Sequence, residues 1–340
     1  MRVLVVEPGV DYSPMDMASG WTKGFRQAGC EVVEFNLADR LVFFSAAHMD
    51  RDGQWERAFD RDAAIHLAVN GLEAACYEFA PDLVVIISGF FIAYDLYRLM
   101  RARGSTVVVV CSEEPYETER ELRLAEVADV AVLNDPTNLE LFRAVNPKSW
   151  YIPHAYDPDV HRPGPVTPAA VSDFAFVGTG FPSRIDFFEQ VDWTGIDVAL
   201  AGQWRNLTSD SPLRKHLAHD IGACCPNDQA VTLYQSTKVS ANLYRRDLIR
   251  GGTAEGWAMS PRDVELAATG CFFLTEPRGE NLQVLPMVPT FDGPGDFEDQ
   301  LRWYLAHPDE RADIAAAARR AVADRTFLKN AQELLRLLGS

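Results

Sequence analysis

Short apolar runs alternate along the chain with longer stretches in which apolar residues recur every three or four positions. "RVLVVEPG" (2–9) is a β-branched apolar run closed by Pro-Gly, the pattern of a strand buried on both faces of a parallel sheet. "MASGWTKGFRQAGCEVVEFN" reads as a helix, a stop at Gly29 and a second strand over Glu31 to Phe35, which makes a βαβ unit. After a less regular acidic stretch, a helix is predicted from about Asp60 to Phe79, stopped before Pro81, and then a third buried strand in "PDLVVIISG". "RLMRARGSTVVVVCSEEP" repeats helix, Gly104 and strand, and "VADVAVLNDPTNLELFRAV" adds a short strand and another helix. The alternation from Met1 to Val145 predicts a doubly wound sheet, with ligands at the carboxyl ends of its strands. The loops there are "EPGVDYSP", "SGFFIAYD" and "CSEEPYE".

The rhythm breaks at "YIPHAYDPDVHRPGPVTPAAVSD", which holds five prolines between Pro153 and Pro168 and no helical period, the composition of an interdomain linker. Beyond it the alternation restarts, with strands in "DFAFVGTG", "IDVALAG" and "KVSANLY", a helix in "SRIDFFEQV", and further pieces in "SPRDVELAATGCFFLTEP" and "MVPTFDGP". The last segment is mostly helical, with Pro308 opening a new helix after His307. The fold class expected is α/β, with two Rossmann-like doubly wound parallel-sheet domains. A chain of 340 residues exceeds what one core usually serves, which agrees.

Composition narrows the class. The 32 Lys and Arg against 49 Asp and Glu leave a formal charge of −17, so the mean surface repels phosphate backbones and anionic lipid, and duplex nucleic acid is a poor expected partner. No run reaches 18 apolar residues, so no membrane span is expected. The apolar run in "MRVLVVEPG" reads as too short and wrongly flanked for a signal peptide, so none is expected. Cys76, Cys111 and Cys271 of the six cysteines lie in or beside apolar runs, where a thiol acts as a small hydrophobe; a cytoplasmic location is expected. With no CxxC pair and no DxD motif, no metal site is expected.

Two stretches carry candidate chemistry. In "FVGTGFPSR" a buried strand runs into Gly178, Thr179 and Gly180, then Ser183 at an N-cap position and Arg184 in the first helical turn. Backbone N–H groups there would face an anion beside a guanidinium, although tight turns also need glycine for steric reasons alone. In "SPRDVELAATGCFFL", Pro261 and Arg262 open a helix and Glu265 is expected in its first turn. That carboxylate would accept hydrogen bonds from the vicinal hydroxyls of a ribose, or merely complement the helix dipole. Ala267, Ala268 and Gly270 would let the helix pack closely on its strand.

These residues resemble the Pro…Glu-x-x-Ala-x-Gly signature of group 1 glycosyltransferases with the GT-B fold. "PDLVVI", "ADVAVLND", "YIPHAYDPDVHRPG", "DVALAGQW" and "LRWYLAHPDERADIAAAARRAVADRTF" follow in the order of the branch related to the spore-maturation protein CgeB. The resemblance is nearest to glycosyltransferases of actinobacterial phages and spans nearly the whole chain. It implies an N-terminal acceptor domain (1–152), a Pro-rich linker (153–172), a C-terminal nucleotide-sugar domain (173–325) facing it across a cleft, and a C-terminal helix (326–340). Glu265 matches the ribose-binding glutamate, Gly178 and Gly180 the phosphate loop, and Arg184 a basic residue on the donor diphosphate; Lys238 and Arg262 are further candidate cations. The family often carries an earlier glutamate in Glu-x7-Glu spacing, eight residues before the second, but position 257 is Trp and Glu255 stands two residues too early.

In the first half, Glu113 or Glu114 would orient the acceptor hydroxyl or act as a base, or be two solvated carboxylates at a strand end. His154 would face the cleft or be structural, and Asp11 and Tyr12 would line the acceptor side or form a turn. The Arg245–Arg246 pair is expected at the surface. The activity implied is hexosyl transfer from a nucleotide sugar, UDP-linked by family analogy, to a hydroxyl on a protein, glycan or modified base. It would proceed with retention and without an obligatory metal or cofactor. Two alternatives stand beside it: a sugar-nucleotide epimerase, or a degenerate protein that binds the sugar nucleotide or a glycan without turnover.

Overall fold

The computed structural model describes residues 1–9, 15–248 and 252–339. The chain forms two compact units, one made of Met1–Ile152 with Phe327–Ser340 and the other of Pro153–Thr326. In the first, strands β1 (Arg2–Val6), β2 (Glu31–Phe35), β5 (Leu83–Ile87), β6 (Thr106–Cys111), β7 (Val130–Leu133) and β8 (Ser149–Tyr151) lie parallel in the order β2-β1-β5-β6-β7-β8. Strand pleating sends successive residues to opposite faces. Leu4, Val6, Val84, Ile86, Val107 and Val109 therefore join one core with Leu72, Tyr97 and Phe142. Val3, Val5, Leu83, Val85, Val108 and Val110 join another with Trp21, Phe25 and Leu334. Burial on both faces is why these strands read as unbroken apolar runs.

The acidic stretch with no clear period folds as a helix, Leu37–Phe44, and an antiparallel hairpin of β3 (Ala47–Met49) and β4 (Trp55–Arg57). All six strand residues are exposed, so no alternation of burial marked them in the sequence.

The second unit carries β9 (Ser172–Val177), β10 (Val198–Ala201), β11 (Thr237–Asn242) and β12 (Phe273–Thr275), parallel in the order β10-β9-β11-β12. One face packs Phe174, Phe176, Leu200 and Val239 against Phe188, Trp204 and Phe297. The other packs Val177, Ala201 and Phe273 under the helix Pro261–Thr269 through Val264, Ala267 and Ala268.

Tertiary contacts place three segments whose packing the sequence left open. The Pro-rich stretch is fastened to the second unit: Gln235 Nε2 donates to the Arg162 carbonyl at 2.7 Å and the Thr167 amide to Ser236 Oγ at 3.0 Å. The terminal helix Phe327–Gly339 packs on the helix Met15–Gln27 of the first unit, where a Cβ at Gly20 or Gly24 would run into Phe327. "MVPTFDGP" contributes only a bridge, Thr275 to Thr290, before the helix Gly293–Ala306.

Candidate functional site

The chain enters the second sheet at β9 and winds outward both ways, to β10 on one side and to β11 and β12 on the other. The crevice at such a reversal lies at the carboxyl ends of β9 and β11, where open α/β sheets bind ligands. Arg262 bridges those two ends. Its Nε donates to the Val177 carbonyl at 2.7 Å and its Nη1 to Asn242 Oδ1 at 3.0 Å, with the guanidinium 4.8 Å from the Phe176 ring centroid. Its Nη2 occupies the space that a Cβ at Gly178 would need. The hydrogen-bond acceptors holding it are neutral, and among the described residues no carboxylate pairs with it at salt-bridge distance. Among the described residues, a positive charge thus stands at the switch point without a carboxylate bonded to it.

A buried network fixes that arginine. Ser260 caps the helix Pro261–Thr269 in a capping box with Asp263, and Asp263, wholly buried, also accepts from Asn242 Nδ2 (2.8 Å), Tyr244 OH (2.7 Å) and Thr275 Oγ1 (2.9 Å). Burial raises the Asp263 carboxyl against the lowering effect of the hydrogen bonds from Tyr244, Ser260 and Thr275. Asp263 is the acidic residue of the first turn; Glu265, expected there, lies in the second. The dipole reading therefore belongs to Asp263. The Glu265 side chain is 20% exposed, and among the described residues no hydrogen bond reaches its carboxylate; His161 Nε2 stands 3.9 Å from its Oε1.

The other candidate cations are placed differently. Arg184 is buried, with Nε and Nη2 donating to the Leu243 carbonyl (3.1 and 2.6 Å) and Nη1 to the Thr179 carbonyl (3.0 Å), and its guanidinium lies 5.2 Å from the Phe181 ring. It ties the glycine turn after β9 to the end of β11. Lys238 lies at the opposite end of the sheet: it follows the first residue of β11 and donates to Asp173 at 2.7 Å, beside the start of β9. A site at the carboxyl ends is several residues away along extended strands, so Lys238 is not part of it.

The glycine turn is steric rather than anion-binding at two of its three positions. The Gly178 amide donates to the Ala201 carbonyl (3.0 Å) and the Gly180 amide to the Gln203 carbonyl (2.7 Å), while a Cβ at Gly180 would meet the Trp204 ring. Thr179 lies between them. The following helix, Pro182–Glu189, has Phe181 at its N-cap, and Ser183, expected there, donates to Asp247 Oδ2 at 2.7 Å. Arg245 lies 4.9 Å from the Phe181 ring, and Arg246 pairs with Glu276 at 2.5 Å. Glu255 is exposed, and Trp257 is half-buried against Gly279. His154, a second-unit residue, is buried.

In the first unit the reversal lies between β1 and β5. Ser88, just past β5, is buried with φ 58°, and its Oγ lies 2.5 Å from Ser112 Oγ. Asp11 and Tyr12 lie outside the described residues. Glu114 is not the solvated carboxylate that its loop implied: it is buried, Asn138 Nδ2 donates to its Oε2 at 2.8 Å, and its Oε1 has no partner. Burial pushes its carboxyl up to about 7, against the lowering effect of its Asn138 and Thr118 hydrogen bonds. Glu121 is wholly buried beside it and accepts from the Glu113 amide at 3.0 Å; burial, then the Glu114 charge, holds its carboxyl well above the usual range. Glu113 itself is half-buried.

Sequence reading missed Asp263, Asn242, Tyr244 and His161. Only Ser260-x-x-Asp263, a capping-box spacing, was there to be found; the rest are brought in by distant segments.

Residues 184–336 match the family model described as glycosyl transferase-like. The spore protein CgeB of Bacillus subtilis (strain 168) is 21% identical over 249 residues, covering 70% of this chain and 77% of that protein. Among solved structures, sucrose-phosphate synthase from Thermosynechococcus elongatus superposes with a TM-score of 0.65 at 12% identity, covering 100% of this chain and 98% of its own. A trehalose-6-phosphate protein from E. coli bound with UDP-2-fluoro glucose gives 0.59 at 11% identity, covering 99% and 98%. By fold this chain is of the GT-B type, and its 184–336 segment is similar to the glycosyl transferase-like family.

Proposed function

We propose that the second unit binds a nucleoside diphosphate sugar at its switch point and that the protein transfers the sugar to a hydroxyl acceptor. The observation that carries this reading is Arg262: a guanidinium fixed between the ends of β9 and β11, over a glycine that leaves it room, with neutral acceptors only. Diphosphate oxygens are the natural partner of such a cation. Glu265, three residues further along the same helix, offers a carboxylate with no donor of its own, suited to two ribose hydroxyls. As the glycosidic bond breaks, negative charge grows on the departing diphosphate, and a preorganised cation there lowers the barrier. UDP is the first nucleotide to test because a structural neighbour was bound with UDP-2-fluoro glucose. Retention of configuration follows from the family resemblance alone and is read from the product anomer by NMR.

Calorimetric titration with UDP tests the site. Arg262→Ala and Glu265→Ala are each expected to weaken binding by roughly 10- to 100-fold, the loss of a charge-assisted contact. Lys238→Ala is expected to leave it unchanged. Equal binding by the Arg262 variant and the unaltered protein would remove the site from the switch point. A second reading, binding without turnover, draws on Trp257 at the position where the resemblance calls for a glutamate, with Glu255 exposed. A nucleotide-sugar screen that finds tight binding but neither transfer nor slow donor hydrolysis would favour it.

A further inference from the structure

We infer that His161 is a positioning residue for Glu265: it donates from Nε2 to one carboxylate oxygen and so aims the carboxylate at a ribose diol. The inference rests on the donor-site reading above and extends it to a residue from a different segment. His161 is held in place by its own backbone. The Asp159 amide donates to Asp157 Oδ1 at 2.9 Å, and the Val160 and His161 amides donate to the Asp157 carbonyl at 3.1 and 2.8 Å, so "DPDVH" closes as a tight turn. The next residues are pinned by Gln235 on the Arg162 carbonyl, and the Pro163 ring comes within 3.4 Å of where a Cβ of Gly270 would stand. The imidazole is thereby pressed under the helix Pro261–Thr269 at 3% exposure.

Both ring nitrogens lack a hydrogen-bond partner there. Burying two polar atoms unsatisfied is unfavourable, and an apolar ring of the same size would fill the space without that penalty. Among the described residues, the carboxylate at salt-bridge distance from it is Glu265, with Oε1 3.9 Å from Nε2. That separation exceeds a hydrogen bond by ~1 Å, a distance that a carboxylate covers by a small rotation about its side chain. Glu265 in turn has no donor, so each group lacks what the other supplies. When two sugar hydroxyls donate to Glu265, a third hydrogen bond from His161 fixes the plane of the carboxylate and strengthens the set in a low-dielectric setting.

The test compares UDP with 2′,3′-dideoxy-UDP on the full chain by calorimetry, using the unaltered protein, Glu265→Ala, His161→Phe and His161→Gln, each checked for its melting temperature. His161→Phe keeps the ring volume and is expected to bind UDP about tenfold more weakly while binding the dideoxy compound as the unaltered protein does. His161→Gln, which retains a donor, is expected to recover UDP binding to within about threefold. A purely structural histidine would weaken both ligands together, and that result overturns the inference. If Glu265→Ala loses UDP affinity and His161→Phe does not, the inference falls while the donor site stands. If the unaltered protein does not prefer UDP over its dideoxy form, Glu265 is not on the ribose and both fall.

Discussion

Glu114 and Glu121 bring two carboxyl groups into the interior of the first unit, with one oxygen of each unpartnered. The usual Glu114 value of 4.5 is raised to about 7 in the fold. Between those two values the folded protein keeps a proton that the unfolded chain has lost, so the contribution of this group to stability falls as pH rises from 4.5 and levels off above 7. Glu121, raised further, extends the fall to higher pH. Glu114→Gln keeps an acceptor for Asn138 and removes the ionisation. Its stability advantage over the unaltered chain is expected to grow between pH 5 and 7 to on the order of a few kcal/mol, then stay level. Urea unfolding across that range measures it; an advantage independent of pH would mean that Glu114 is ionised in the fold.

The helix Pro261–Thr269 shows how an element nine residues long holds a site. Its start is set by Ser260 and Asp263, its end by Gly270 in the left-handed conformation at φ 78°, and its inner face by Val264, Ala267 and Ala268. Small residues allow close approach to β12, and the cap places Arg262 over the ends of β9 and β11. Ser260→Ala is expected to cost about 1 kcal/mol of stability. Asp263→Ala should cost more, because it strands Asn242, Tyr244 and Thr275 together, and it should also weaken UDP binding through Arg262. Thermal melts with and without UDP separate the two effects; an Asp263 variant that melts early yet binds UDP normally would free Arg262 from this network.

At the scale of the whole molecule the chain passes from the first unit to the second after Ile152 and returns at Phe327. The first unit is therefore incomplete until the last residues are made. The helix Phe327–Gly339 covers Gly20, Trp21 and Gly24, and the Phe327 and Trp21 rings meet edge-on at 6.4 Å. Ending the chain at Thr326 is expected to raise hydrogen exchange in 15–27 and the strands beneath it by at least tenfold, while the 261–275 segment stays protected. Uniform loss of protection in both units would mean that they do not unfold separately.

Much of the fold is legible from the sequence because each half-buried helix and doubly buried strand records its surroundings in its own spacing. "RVLVV", "LVVII" and "TVVVVC" could be read as central strands for that reason, and the exposed hairpin Ala47–Arg57 could not. The sequence by itself determined the alternation of strands and helices, the two-part α/β architecture and the helix that carries Arg262 and Glu265. Tertiary structure alone decided how the two arginines are held at the ends of β9 and β11. Arg184 and Arg262 look alike in one dimension; in the fold Arg184 donates to the Leu243 and Thr179 carbonyls, and Arg262 to the Val177 carbonyl and Asn242 Oδ1. It also decided that Lys238 lies at the far end of its strand and that His161 comes to rest under Glu265. Local spacing encodes which face of an element is buried; it does not encode which distant residue will be waiting there, because that depends on how parallel strands are ordered by their crossovers.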